Sequence, residues 1–149
     1  MAEKTKSNIR LGAEEMRYIS LFQDLTGAVV KDCVVDNDNN RVIFLVKPGD
    51  MGIAIGKNGI NIKRLTRLIG KNIEVVEYAE TVEELAKNAL APARVKSVKL
   101  VSTPIGKKVV FVTVEPQDKG IAIGKAGKNV NRAKLLLNRY FNIDAVVIT

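Results

Sequence analysis

The sequence contains no histidine, no tryptophan and a single cysteine. Without histidine there is no imidazole general base and no His-ligated metal site. The remaining catalytic options are carboxylates, Lys, Tyr and Ser/Thr, and no pair of carboxylates has a context that suggests acid/base work. One cysteine cannot close an internal disulfide, so nothing points to an oxidising compartment. Cys33 reads as a small apolar strand residue. No apolar run approaches the roughly 18 residues of a spanning helix. Met1 to Arg10 is polar and charged, with no hydrophobic signal core behind it. The expectation is a soluble cytoplasmic protein with no cofactor, no metal, no membrane association and no small-molecule substrate.

The chain has 149 residues, an apolar fraction of 46% and a net charge of +8. That is one ordinary domain or two small ones, folded rather than disordered. A basic balance suggests a polyanionic partner, nucleic acid first. The distribution of the charge says more than its total. No acid occurs from Met51 to Ile73, where Lys57, Lys63, Arg64, Arg67 and Lys71 lie. None occurs from Lys119 to Ile143, where Lys119, Lys125, Lys128, Arg132, Lys134 and Arg139 lie.

These two windows are copies of one another. Pro48 to Asn61 reads PGDMGIAIGKNGIN and Pro116 to Asn129 reads PQDKGIAIGKAGKN, identical at 10 of 14 positions at a constant offset of 68. A repeat that occurs only twice at this spacing means two tandem modules, here 1–79 and 80–149, with 1–8 a frayed tail.

Both modules predict the same order of elements. Arg41 to Lys47 and Lys108 to Glu115 are β-branched and apolar, and each stops at a proline, as strands do. A short Ile-Ala-Ile piece and a second glycine pair follow. Ile62, Leu65 and Ile69, and in the second copy Val130, Ala133 and Leu137, then recur at helical spacing. Ile73 to Tyr78 and Ile143 to Ile148 close each module as strands. Ahead of the first core, Tyr18, Phe22 and Leu25 share a helical face that stops at Gly27, and Val29 to Val35 reads as a strand. Residues 36–40 (Asp-Asn-Asp-Asn-Asn) form a hairpin turn rather than a calcium loop, because the glycine and distant glutamate are missing. Ahead of the second core, Thr81 and Glu84 suit a capping box, Pro92 ends the helix and Val95 to Ser102 is a strand. The fold class is α+β, each module a three-stranded sheet with helices on one face.

The loops Gly56-Lys57-Asn58-Gly59 and Gly124-Lys125-Ala126-Gly127 bracket a lysine at the start of a helix. Glycine permits backbone angles closed to other residues and lets a phosphate chain approach the main chain. The helix start adds free N–H groups and a positive dipole end. Lys63, Arg67 and Lys71 continue the basic stripe at i, i+4 and i+8. A P-loop is excluded, since three residues rather than four separate Gly52 from Gly56, and Asn58 or Ala126 stands where a hydroxyl is needed. Phe22, Phe44 and Phe111 are expected in the core, as are Ile53, Ile55, Ile60 and Ile62, although one side of that isoleucine set offers a groove for bases. With no aromatic beside either loop, base-stacking platforms are not expected.

Residues 55–62 (Ile-Gly-Lys-Asn-Gly-Ile-Asn-Ile) and 123–130 (Ile-Gly-Lys-Ala-Gly-Lys-Asn-Val) resemble the I-G-x-x-G-x-x-I signature of KH RNA-binding domains. In that family the loop clamps the backbone of about four nucleotides. The extra strand and helix precede each core, which resembles the type II arrangement. A pair of such modules covering nearly the whole chain is similar to the archaeal NusA-like transcription termination/antitermination factors. The resemblance implies single-stranded RNA bound at Ile55, Gly56, Lys57, Asn58, Gly59, Ile62, Lys63, Arg64 and Arg67. In the second copy it implies Ile123, Gly124, Lys125, Ala126, Gly127, Lys128, Asn131 and Arg132. Bacterial members carry a polymerase-binding domain and an S1 domain for which this sequence has no room, so contact with RNA polymerase or other transcription factors is a weaker implication.

The expected function is therefore non-catalytic binding of single-stranded RNA on one extended basic surface, in termination, antitermination or elongation control. Two alternatives stay open. One is a ribosome-biogenesis or ribosomal KH protein. The other is a protein–protein scaffold of the transcription machinery whose basic faces meet an acidic partner.

Overall fold

The computed structural model describes residues 11–149; the tail expected over 1–8 lies outside them. The chain divides into two compact units, which part between Tyr78 and Ala79. The first unit runs α1 (Ala13–Thr26), β1 (Val30–Asp36), β2 (Arg41–Val46), α2 (Met51–Ile55), α3 (Ile60–Ile69) and β3 (Asn72–Glu77). The second repeats the order as α4 (Val82–Leu90), β4 (Val95–Ser102), β5 (Lys108–Val114), α5 (Lys119–Ile123), α6 (Lys128–Phe141) and β6 (Ala145–Ile148). Among the described residues no helix is long and apolar enough to cross a membrane.

Each unit holds one three-stranded sheet with its middle strand second in sequence, β1-β2-β3 and β4-β5-β6. The first pair of each sheet is antiparallel and the second pair is parallel. A hairpin serves the antiparallel pair. The parallel pair needs a crossover, and the short helix, glycine loop and long helix supply it. The loop is thereby fixed at both ends by the sheet.

The local signals act as their chemistry requires. Gly27 ends α1 in the left-handed region at φ 79°, and its N–H donates to the Gln23 carbonyl. Glu15 reaches back to accept the Gly12 N–H at 2.9 Å, half of a capping box. Thr81 Oγ1 accepts from the Glu84 N–H at 3.2 Å and starts α4. Asn40 closes the β1–β2 turn in the left-handed region, where asparagine is tolerated.

Period-two alternation fixes which side of each sheet faces its helices. In the first unit Val42, Phe44 and Val46 join Tyr18, Phe22, Ala54, Leu65 and Ile73 in one core. The Phe22 and Phe44 rings lie 4.4 Å apart at centroid. The intervening Ile43 and Leu45 are also fully buried, so β2 is covered on both faces. In the second unit Val110, Val112 and Val114 are buried, but Phe111 between them is 36% exposed. The expectation that Phe111 belongs to the core is therefore overturned. It stands on the face of β5 opposite the buried valines, while Phe141 of α6 is buried.

Arg41 opens β2 with a fully buried side chain. Its Nε donates to Asp36 Oδ2 at 2.8 Å and its Nη1 to Glu74 Oε1 at 3.1 Å, which ties all three strands of the sheet. Burial pushes the Asp36 carboxyl up, but hydrogen bonds from Asn39 and Arg41 and the Arg41 charge outweigh it and hold the group low. A carboxyl with a depressed folded pKa stabilises the fold above its unfolded value, about 3.9. That stabilisation is lost as pH falls through the folded value. Asp36→Asn should lower stability at pH 7 by about 2–3 kcal/mol, because a buried guanidinium loses its nearest carboxylate while Glu74 remains. Thermal melts between pH 2 and pH 7 test this: wild type should lose stability below about pH 4, and the variant should respond more weakly there.

Candidate nucleic-acid interface

The repeated segment begins with a carboxylate that anchors it. Asp50 Oδ2 accepts the N–H of Val29, just ahead of β1, at 2.8 Å. Its counterpart Asp118 accepts both the N–H and the Nε–H of Arg94, just ahead of β4, at 2.9 and 2.7 Å. The Arg94 hydrogen bonds hold the Asp118 carboxyl below the ordinary aspartate range. In each module the start of the short helix is thus bound to the start of the first strand.

Next comes the corner between the short and long helices. Gly56 sits at φ 78°, ψ 169°, and Gly124 at φ 77°, ψ 169°. A Cβ on Gly56 would lie 2.8 Å from Asn61 Nδ2, and one on Gly124 would lie 2.9 Å from the Asn129 main-chain N. Glycine is needed there twice over, for its backbone angle and for its missing side chain. Gly59 and Gly127 are also left-handed, at φ 72° and 76°, but no atom lies near enough to block a side chain closely. Between them the chain makes one 3₁₀ turn, with the Gly59 N–H donating to the Gly56 carbonyl and Gly127 to Gly124, both at 3.1 Å.

The asparagines explain the corner. Asn61 Nδ2 donates to the Ile53 carbonyl at 2.9 Å, and Asn129 Nδ2 to the Ile121 carbonyl at 2.7 Å. Each amide reaches from the first turn of the long helix to a carbonyl of the short one, which has no partner further along so short a helix. Sequence reasoning gave Asn61 and Asn129 no role. Their identity across the repeat, shared among the polar residues after the second glycine only with Arg64 and Arg132, was the signal that pointed to them.

Asn58 and Ala126 occupy the same left-handed angles, φ 55°, ψ 27°. The two loops therefore share one backbone shape despite the substitution. Asparagine suits this region, whereas alanine pays a steric cost of about 1 kcal/mol or more.

The predicted contact residues fall into three groups. Lys57, Asn58, Lys125 and Ala126 are exposed on the loops, and Lys63, Arg64, Arg67 and Asn131 are exposed on the helices behind them. Ile55 and Ile123 are partly exposed at the ends of the short helices, whereas Ile62 packs against the core. Ile53 (50% exposed) and Ile60 (36%) also stand in solvent, which corrects the core assignment of Ile53, Ile55 and Ile60. Lys128 is half-buried. Arg132 is half-buried too, and its Nε donates to the Ala89 carbonyl at 2.9 Å, so it ties α6 to α4. Lys71 lies beyond the end of α3, which Gly70 terminates at φ 79°, and its Nζ donates to Asn37 Oδ1 at 3.0 Å. The expected three-residue stripe is therefore a pair, Lys63 and Arg67. Arg64 and Arg67 also line a shallow pocket of about 380 Å³ with Leu25 and Leu68.

Asn61→Ala should leave the Ile53 carbonyl without its amide and cost about 1 kcal/mol. Ala126→Asn should raise stability by about 1 kcal/mol by relieving the left-handed alanine. Urea unfolding of the two variants measures both changes, which are expected to have opposite signs.

A model of the KH domain family matches residues 16–100, and a model of the NusA-like second KH domain matches residues 82–147. Two relatives are each described as "Probable transcription termination protein NusA". One, from Halococcus morrhuae, is 38% identical over 93% of this chain and 96% of its own length. The other, from Halobacterium salinarum, is 38% identical over 95% and 99% respectively. A "Transcription termination/antitermination protein NusA" of Borreliella burgdorferi is 30% identical over 59% of this chain, but this covers only 18% of that longer protein. A solved structure, "Crystal structure of APE1850", superposes with a TM-score of 0.85 at 46% identity, covering 93% of this chain and all of the other. With both modules matched and these relatives aligned nearly end to end, the chain belongs to the NusA-like family of tandem KH-domain proteins.

Proposed function

We propose that this protein binds single-stranded RNA through its two glycine loops and acts on nascent transcripts in termination, antitermination or elongation control. The observation that carries the proposal is the duplicated loop. Two copies adopt the same backbone angles to within a few degrees although one has asparagine and the other alanine at the central position. A shape kept while the side chain changes is a shape used by its main chain. Each loop presents a lysine and precedes a helix N-terminus, the arrangement that receives a phosphate. No acid interrupts either window to repel it.

The exposed isoleucines deepen this reading. Ile53, Ile55 and Ile60 in the first module and Ile121 and Ile123 in the second form apolar surface around the lysine. Phosphate held at the loop leaves bases to lie on that surface, which is the division of labour in KH recognition. Lys63, Arg64 and Arg67, with Lys128, Asn131 and Arg132 in the second module, are proposed as flanking contacts. The four residues 78–81 joining the modules, Tyr-Ala-Glu-Thr, include no glycine. A short tether of this kind gives the second module a high effective concentration once the first is bound. We therefore take one strand of about eight nucleotides, four per module, as the ligand.

The test is fluorescence anisotropy of a labelled RNA octamer across a salt series. Wild type, neutralising about 4–6 phosphates, should show a log–log slope of about −3 to −4. A variant with Lys57→Asp, Asn58→Asp, Lys125→Asp and Ala126→Asp keeps all four glycines and reverses the loop charge. Loss of binding by this variant, with unchanged circular dichroism, is expected. Reversing one loop alone should weaken binding by about 100-fold or more, the range that linked sites contribute. Unchanged binding by the four-residue variant would mean the loops are structural, leaving the basic faces for an acidic protein partner.

A further inference from the structure

The open face of the second sheet carries an aromatic residue that the fold does not require. Phe111 lies in the middle strand, with Lys99 beside it on β4 and Val147 beside it on β6. Direct cross-strand partners share a face, so Lys99, Phe111 and Val147 form one row across the sheet. Phe111 is 36% exposed and Val147 is 39% exposed. The neighbouring rows on the same face are Val101, Val109 and Ala145 on one side and Ser97 and Thr113 on the other. None of these residues is acidic.

The repeat supplies an internal comparison. At the offset of 68 the counterpart of Phe111 is Ile43, and Ile43 is fully buried. The fold therefore accommodates an aliphatic residue here, and the second module carries an exposed ring instead. A ring left in water beside a lysine, on an acid-free sheet face, matches a ligand with flat π faces and a negative backbone.

We infer that the Lys99–Phe111–Val147 row is a second RNA contact, in which one unpaired base stacks on Phe111 while Lys99 meets the adjoining phosphate. This rests on the RNA-binding reading of the glycine loops and extends it to a different face of the second module. It also reverses the expectation, drawn from the lack of aromatics beside the loops, that this protein has no stacking platform. A second copy of the chain is a poorer occupant. Pairing this face with itself would bring two lysine-bearing surfaces of a +8 protein together over a narrow apolar row.

The chain has no tryptophan, so Phe111→Trp places a sole tryptophan in the row, excited at a wavelength where the three tyrosines do not absorb. A 20-nucleotide oligouridine, end-labelled for anisotropy, is titrated while the tryptophan emission is recorded. The expected result is quenching that saturates at the same RNA concentration as the anisotropy, and that Lys99→Glu diminishes. Binding by anisotropy with unchanged emission overturns the inference and leaves the loop reading intact. Absence of any RNA binding overturns both. Quenching that follows protein concentration without RNA means that a second copy covers the face, and overturns the inference.

A second set of variants needs no tryptophan. Phe111→Tyr should keep the affinity for the 20-mer, and Phe111→Leu should lower it about five- to hundredfold, as the loss of one base–aromatic stack does. Equal loss with Tyr and Leu, or no loss with Leu, contradicts stacking.

Discussion

The hydrogen bond from an asparagine amide to the carbonyl of the preceding short helix is the interaction on which the rest depends. Asn61 to Ile53 and Asn129 to Ile121 each pin one end of a glycine corner. The other end is pinned by an aspartate bonded to the start of the first strand, Asp50 to Val29 and Asp118 to Arg94. Between these fixed points the backbone has little freedom, and the left-handed angles at Gly56, Asn58 and Gly59 follow. The asparagine side chain also fills the space a Cβ would take at Gly56. Glycine and asparagine are therefore one device. The glycine makes room for the amide, and the amide holds the loop in the shape that only glycine permits.

Much of the fold was legible in the sequence because it depends on local chemistry, whereas the role of Asn61 and Asn129 was not. Prolines mark the ends of the apolar, β-branched middle strands, and the offset of 68 reveals the modules. The loops themselves are visible from Gly-Lys-x-Gly twice over. What stayed hidden depends on three-dimensional neighbours. Lys71 continues an i, i+4, i+8 spacing on paper, but Gly70 ends the helix first and sends the lysine to Asn37. Arg132 has the right spacing for a phosphate contact, yet it also hydrogen-bonds the end of α4. Ile53, Ile55 and Ile60 look like core by composition. A helix of five residues has too little length to bury every apolar side chain, so Ile53 and Ile55 reach solvent, and Ile60, the first residue of α3 behind the glycine loop, is exposed as well. The exposure of Phe111 is equally invisible, because alternation says which residues share a face but not whether that face is covered.

The two modules behave as a natural mutation series on one scaffold. Asn58 and Ala126 adopt the same backbone angles, which separates the shape of the loop from the side chain at its centre. Asp50 bonds one main-chain N–H, whereas Asp118 adds an arginine side chain, so the same anchor is made with and without an ion pair. Ile43 and Phe111 occupy equivalent positions, one buried and one exposed. What the modules share is the corner and its anchors.

The central claim is that the glycine corners are where RNA binds. The most direct measurement is the amide spectrum of protein labelled with ¹⁵N at glycine, titrated with an unlabelled RNA octamer. Gly12, ahead of α1, and Gly106, in the β4–β5 turn, lie remote in sequence from the corners and serve as internal references. The account predicts that Gly56, Gly59, Gly124 and Gly127 shift progressively and saturably while the reference glycines hold still. At saturating RNA, stationary resonances from all four corner glycines would contradict it.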